Sequence, residues 1–169
     1  MLDQRSSTES EAHAFIDRAI LGLLLDDDKQ RPWSEVEIAR EITAPGHVPA
    51  SLKRLRVGGL IHRWNDLATA TRSAVRFHEI TQGSDPASAD ESHHDKAVLE
   101  SLLARATEGQ RPISEDELYE TFGAKETQQK LLAITDALDR LDAAGLIERR
   151  GGRAIASEVA TYFDHIMTL

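Results

Sequence analysis

The chain has no cysteine, which excludes disulfides, thiol catalysis and thiolate metal sites and gives no sign of an oxidising compartment. Long apolar runs are missing too. The longest, Ala19 to Leu25, is far short of the about 20 residues that span a bilayer. The acidic, Ser/Thr-rich start MLDQRSSTES lacks the basic stretch of a secretory signal. These absences predict a chain that is neither membrane-inserted nor exported, with a cytoplasmic location. An excess of positive charge is also lacking: Asp and Glu outnumber Lys and Arg by 29 to 20, a formal charge of −9. Taken whole, that argues against sequence-independent coating of nucleic acid. What is present, 169 residues with 40% apolar composition, suffices for one medium domain or two small ones with a real core.

The two halves match each other in three collinear segments. Ala19-Ile20-Leu21 through Leu25 corresponds to Ala97-Val98-Leu99 through Leu103, and RPWSEVEI at 31–38 shares five of eight residues with RPISEDEL at 111–118. SLKRLRVGGLIHRW at 51–64 and ALDRLDAAGLIERR at 137–150 share seven of fourteen. Helical propensity explains leucines at such spacings but demands neither the shared Arg-Pro-x-Ser-Glu-x-Glu nor the shared Gly-Leu-Ile. The pattern reads as a duplication. Between the halves, the Ser-, Asp- and Gly-rich stretch after residue 80 lacks apolar periodicity, so the spacing predicts a first domain over 1–80, a linker over 81–91 and a second domain over 92–169.

Each half predicts the same elements. Apolar residues at helical spacing give a first helix through Leu25 and another around Val98–Leu103. Ser34-x-x-Glu37 and Ser114-x-x-Glu117 are capping boxes, so second helices begin near Glu35 and Glu115. Third helices follow in TAPGHVPASLKRLRVGG and ETQQKLLAITDALDRLDAAG, each ending at a glycine suited to a left-handed cap. Strands then open at Leu60-Ile61 and Leu146-Ile147. The expected return strands are TRSAVRFHEI in the first half and the segment around Ala154-Ile155, after the Gly151-Gly152 turn, in the second. The fold class expected is mainly α with small β-hairpins, an α+β fold.

This order, with Leu-x-x-Leu-x-x-x-Gly-Leu-Ile closing the third helix, resembles the winged helix-turn-helix domain of bacterial transcriptional regulators. Both halves carry it, covering nearly all of residues 14–157. The resemblance implies two tandem winged-helix domains, a third helix that enters the major groove and a hairpin that forms the wing. It implies no activity of its own, because winged-helix folds also serve as protein-binding modules.

Charge separates the copies. Residues 1–81 hold 11 Lys/Arg against 12 Asp/Glu, whereas residues 82–169 hold 9 against 17. Within 47–78, Lys53, Arg54, Arg56, Arg63, Arg72 and Arg76 oppose only Asp66, with His47, His62 and His78 nearby in sequence. On the third helix Val48, Leu52, Leu55 and Gly59 share one face, which leaves Lys53 and Arg56 on a flank next to Pro49. The aligned second-copy residues are Asp139 and Asp142, which would repel phosphates. His47, Pro49, Lys53, Arg56, Arg63 and Arg72 are therefore the candidate contacts to double-stranded DNA. Arg54, shared with Arg140, reads as structural. Thr69 and Thr71 are weaker wing candidates, Val75 and Phe77 are expected to face inward from a strand, and Trp33 and Trp64 are expected to pack.

Nothing assembles a catalytic centre. His93-His94-Asp95 sits beside Ser92, the expected cap of the next helix, and lacks further ligands at useful spacing; His13 with Asp17, and Asp26-Asp27-Asp28, are patterns common by chance. No phosphate loop, nucleophile elbow or zinc signature occurs, so no enzyme, cofactor or metal is expected. The segment SEVATYFDHIMTL carries Val159, Tyr162, Phe163, Ile166 and Leu169 on a helical stripe, read as a lid on the second domain or a dimerisation helix. The resulting expectation is a transcriptional regulator that binds DNA through its first domain and assembles, as a homodimer or with a partner, through its second. The rival expectation is a protein-interaction adaptor, similar in layout to the tandem winged-helix subunits that bind kleisins in condensin-like complexes.

Overall fold

The computed structural model describes residues 3–26, 31–82, 89–109 and 111–168. Helix α1 runs from Asp3 to Leu25, and a two-residue strand β1, Trp33–Ser34, leads into α2, Glu35–Glu41. A 3-10 turn at Pro45–His47 opens α3, Val48–Val57, followed by the hairpin β2, Ile61–Trp64, and β3, Leu67–Ala70, and by α4, Arg72–Gln82. The order then repeats: α5 (Ala89–Thr107), β4 (Ile113–Ser114), α6 (Glu115–Thr121), a 3-10 turn at Ala124–Glu126, α7 (Gln128–Ala143), β5 (Ile147–Arg150), β6 (Arg153–Ala156) and α8 (Glu158–Thr168). The fold is mostly helical, with two small antiparallel sheets ordered β1-β3-β2 and β4-β6-β5.

Local chemistry accounts for the boundaries. Ser34 accepts a bond from the Glu37 backbone N–H while the Glu37 carboxylate reaches back to the Ser34 N–H at 2.8 Å, completing the expected capping box. Its backbone and Ser34 bonds hold the Glu37 carboxyl below its ordinary pKa. Ser114 caps Glu117 in the same way, but the Glu117 carboxylate turns to Arg105 at 2.7 Å. The third helices end as expected, at Gly59 (φ 73°) and Gly145 (φ 71°), with Leu60 N–H donating to Leu55 O and Leu146 N–H to Leu141 O.

The sheets are larger than bare hairpins, because the two residues before each second helix pair with the return strand, Trp33 with Ala68 and Ile113 with Ala154. The return strand of the first half is Leu67–Ala70, reached through Asn65, which takes a left-handed φ of 55°. TRSAVRFHEI is therefore not a strand. Thr71 donates to Gly59 O and accepts from the Ala74 N–H, capping a helix that starts at Arg72; Ser157 does the same with Gly145 O and Ala160 N–H before α8. Phe77 is buried as expected, but from a helix, and Val75 is half-buried. Helices also take in 81–82 and 89–91 of the expected linker, whereas residues 83–88 lie outside the described ones. Ser92 lies inside α5, three residues past its start, so it is not the cap.

The chain forms two compact units: one of residues up to Val75 with those from Tyr162 onward, the other Arg76–Thr161. The division falls inside α4 and inside α8, a different partition from 1–80 and 92–169. In the first unit Ile20, Leu21, Ile38, Leu52, Leu55 and Leu60 are wholly buried. In the second, Val98, Leu118, Leu138, Leu141 and Leu146 take the corresponding places. Phe163 and Ile166 are also buried, and Arg18 of α1 donates to Ile166 O at 2.7 and 2.9 Å. The end of α8 thus completes the first unit and is not a lid on the second. Leu169 lies outside the described residues.

Candidate nucleic-acid interface

In the first unit α3 stands against α1 through one buried carboxylate. Asp17 is 3% exposed and accepts bonds from Arg54 at 2.7 and 3.0 Å, from the Ser51 hydroxyl, and from the Tyr162 hydroxyl at 3.3 Å. The Arg54 pKa is raised, first by its hydrogen bond to Asp17. Burial, then the neighbouring Asp17 charge, pushes the Tyr162 hydroxyl up to about 12. The same node recurs in the second unit, where Asp95, fully buried, accepts from Arg140 at 2.7 Å and from Arg76 at 2.8 Å. Arg54 and Arg140 are structural, as expected from their shared position. Arg76, counted there among the wing cations, is spent on Asp95 and Glu79.

Gly58 explains how Tyr162 comes so near α3. Its φ of −72° is ordinary, but a Cβ added there would lie 2.2 Å from the Tyr162 ring. Residue 58 is a glycine for close approach.

With Val48, Ser51, Leu52 and Leu55 buried, α3 turns its other side outward. His47, Pro49, Lys53 and Arg56 are all exposed, as is Arg72 at the start of α4. Arg63 is different: it is half-buried on β2 and ion-paired with Glu35 at the start of α2. The equivalent Arg149 pairs with Glu115 at 3.0 Å and also with Asp139, bonds that raise its pKa. Arg63 therefore belongs to a tie common to both units, and its charge is already matched. Of the six cations in 47–78, those left exposed are Lys53, Arg56 and Arg72, with His47 and His62 beside them in sequence. At the two aligned positions of α7, Asp139 and Asp142 are exposed.

Both sequence expectations about tryptophan need separating. Trp33 is half-buried with the Arg31 guanidinium 4.1 Å above its ring. Trp64 does not pack: it is 77% exposed at the end of β2, paired in register with Leu67, itself 37% exposed. A turn of only Asn65 and Asp66 leaves both side chains at the hairpin tip, beyond the reach of the core.

Of the remaining candidates, His13 is exposed, with its ring centroid 6.5 Å from that of His47, while Asp17 is committed to Arg54. Asp26 is exposed, and Asp27 and Asp28 lie outside the described residues. Among the described residues no group of three or more His, Cys, Asp or Glu is placed to hold a metal ion, and no helix is long and apolar enough to cross a membrane. No family model matches the chain, and comparison with curated proteins and with solved structures gives no match either.

Proposed function

We propose that the protein is a cytoplasmic, non-enzymatic tandem winged helix-turn-helix protein that binds double-stranded DNA through α3 and the β2–β3 hairpin of its first unit, in transcriptional regulation, while its second unit serves assembly. The observation that carries this reading is the contrast on one helix: Lys53 and Arg56 are exposed on α3 where α7 exposes Asp139 and Asp142. Two short helices followed by a hairpin support the winged-helix assignment, since in that arrangement the second of the pair lies in the major groove. A cationic pair there gains counterion release; at the aligned positions Asp142 repels phosphate, while Asp139 is paired with Arg149 and adds no cation.

The test is fluorescence anisotropy with random-sequence duplex across a salt series. Binding should weaken steeply as salt rises, and Lys53→Glu with Arg56→Glu should remove it. No binding at low salt, or binding indifferent to the double variant, defeats the reading. A second reading, the protein-interaction adaptor, is favoured by the exposed Trp64 and Leu67 at the hairpin tip, since aromatic side chains outside a core are typical anchors of protein interfaces. Under that reading the parent chain gives no salt-dependent DNA signal, and Trp64→Ala abolishes partner capture.

A further inference from the structure

The first unit holds an apolar cavity of about 350 Å³ that the DNA reading does not use. One wall is the stripe Ala12, Phe15, Ile16 and Ala19 of α1; the other is residues 41–44, where α2 ends and the chain turns toward α3. Such a volume falls at the small end of the range that small-molecule sites occupy. Among the residues lining it, Glu41 is the single charged group and Thr43 the single hydroxyl. Glu41 is exposed, and Phe15, which lines the same cavity, is 67% exposed.

We infer that this cavity is a binding site for a small, flat, hydrophobic monocation, whose apolar body lies against Phe15 and Ile16 and whose positive charge is met by Glu41. Charge complementarity chooses the class. One carboxylate on an otherwise neutral lining repels an anionic ligand, and a phenyl face attracts a cation through its quadrupole. The second copy supports a role particular to the first unit: at the positions of Phe15 and Ile16 it has His93 and His94. There His94 lines a different cavity, whose walls include the charged Glu91, Asp136 and Arg140 beside Leu132 and Ala133. A stripe kept only for packing would face the same demands in both copies.

The experiment uses the full chain without DNA, so its outcome is independent of the function proposed above. A fluorescent styryl-pyridinium cation is titrated in parallel with its neutral stilbene analogue. The cation should bind saturably at one site per chain. Glu41→Gln should weaken it roughly threefold, as expected for one exposed ion pair, and leave the neutral analogue unchanged. Phe15→Ala should weaken both dyes about tenfold through lost apolar contact. Both side chains are exposed, so an unchanged urea midpoint is expected and checks that each variant is folded. Non-saturable binding, or a Glu41→Gln effect equal for both dyes, overturns the inference. So does sedimentation showing that the parent is a dimer which Phe15→Ala dissociates, because a second copy would then cover the cavity.

Discussion

In the first unit the third helix is tied to the first helix by Arg54 on Asp17; in the second, by Arg140 on Asp95. Each hairpin is tied to the second helix by an arginine on a glutamate, Arg63 on Glu35 and Arg149 on Glu115. Each terminal helix is capped by a hydroxyl that also bonds the glycine carbonyl closing the third helix. The copies diverge chiefly outside this frame. Lys53 and Arg56 become Asp139 and Asp142, and the exposed Val36, Trp64 and Leu67 become Asp116, Arg150 and Arg153. Most side chains that face inward or bind one another keep the fold and are held in common, though buried Ser51 is Ala137 in the second copy; side chains that face water are where two copies of one fold can take different partners. Even the shared node differs in its third member. Asp17 receives a tyrosine hydroxyl where Asp95 receives a second guanidinium.

That difference can be broken most forcefully at the aspartates. Asp95→Ala strands two arginines around a fully buried position and should cost about 3 kcal/mol, toward the low end for broken buried pairs because both guanidinium groups are partly exposed. Asp17→Ala strands one arginine and the Ser51 and Tyr162 hydroxyls, neutral groups that lose less than a second guanidinium would, and should cost about 2 kcal/mol. Both tryptophans, Trp33 and Trp64, lie in the first unit, so fluorescence follows that unit and circular dichroism follows both. In urea titrations Asp17→Ala should move the fluorescence midpoint, and Asp95→Ala mainly the dichroism. Identical shifts in both signals for both variants would show that the two nodes stabilise one indivisible structure.

A gentler change sharpens the charge contrast. Replacing Asp139 by Lys and Asp142 by Arg gives α7 the outward charges of α3, and should strengthen duplex binding about tenfold at low salt, with a steeper salt dependence. An unchanged salt slope would mean that charge at these positions does not govern binding. The smallest effect expected is at Tyr162. Its folded pKa of about 12 lies above the ordinary tyrosine value near 10, so its contribution is complete below pH 10 and is lost as the pH climbs through 12. Tyr162→Phe should remove that alkaline loss from the fluorescence transition and lower stability slightly at neutral pH. An alkaline profile identical to the parent's would show that another group titrates there.

Much of this was legible because it is local. Ser34 and Ser114 announced the second helices, Gly59 and Gly145 the ends of the third, and Gly151-Gly152 a hairpin turn, since each acts within a few residues. The helix after the first hairpin was misread because Val75-Arg76-Phe77 alternates like a strand over too few residues to decide. Its register with SEVATYFDHIM, read as helical from its apolar stripe, held the answer: Thr71 stands where Ser157 stands. The buried aspartates were hidden by distance, with 37 residues separating Asp17 from Arg54 and 45 separating Asp95 from Arg140. A signal did exist, because Asp17-x-Ala19-Ile20-Leu21 aligns with Asp95-x-Ala97-Val98-Leu99, and an acid retained two positions before a shared apolar run has a structural cause. The exposure of Trp64 was beyond such reasoning, since nothing in a four-residue strand says which end overhangs the core.

The first unit is discontinuous in sequence, since Tyr162, Phe163 and Ile166 complete it after the whole of the second has intervened. During synthesis, at roughly 5–20 residues per second, this gives a lag of about 4–17 s between the appearance of Val75 and that of α8. Through that interval the ribosome carries a nascent first unit whose Asp17 has Arg54 but not Tyr162, and whose apolar surface beneath Phe163 is still open. A stalled or truncated translation product would therefore display the incomplete unit to proteases and chaperones, and production of the basic helix in finished form is tied to translation reaching the second copy's last helix.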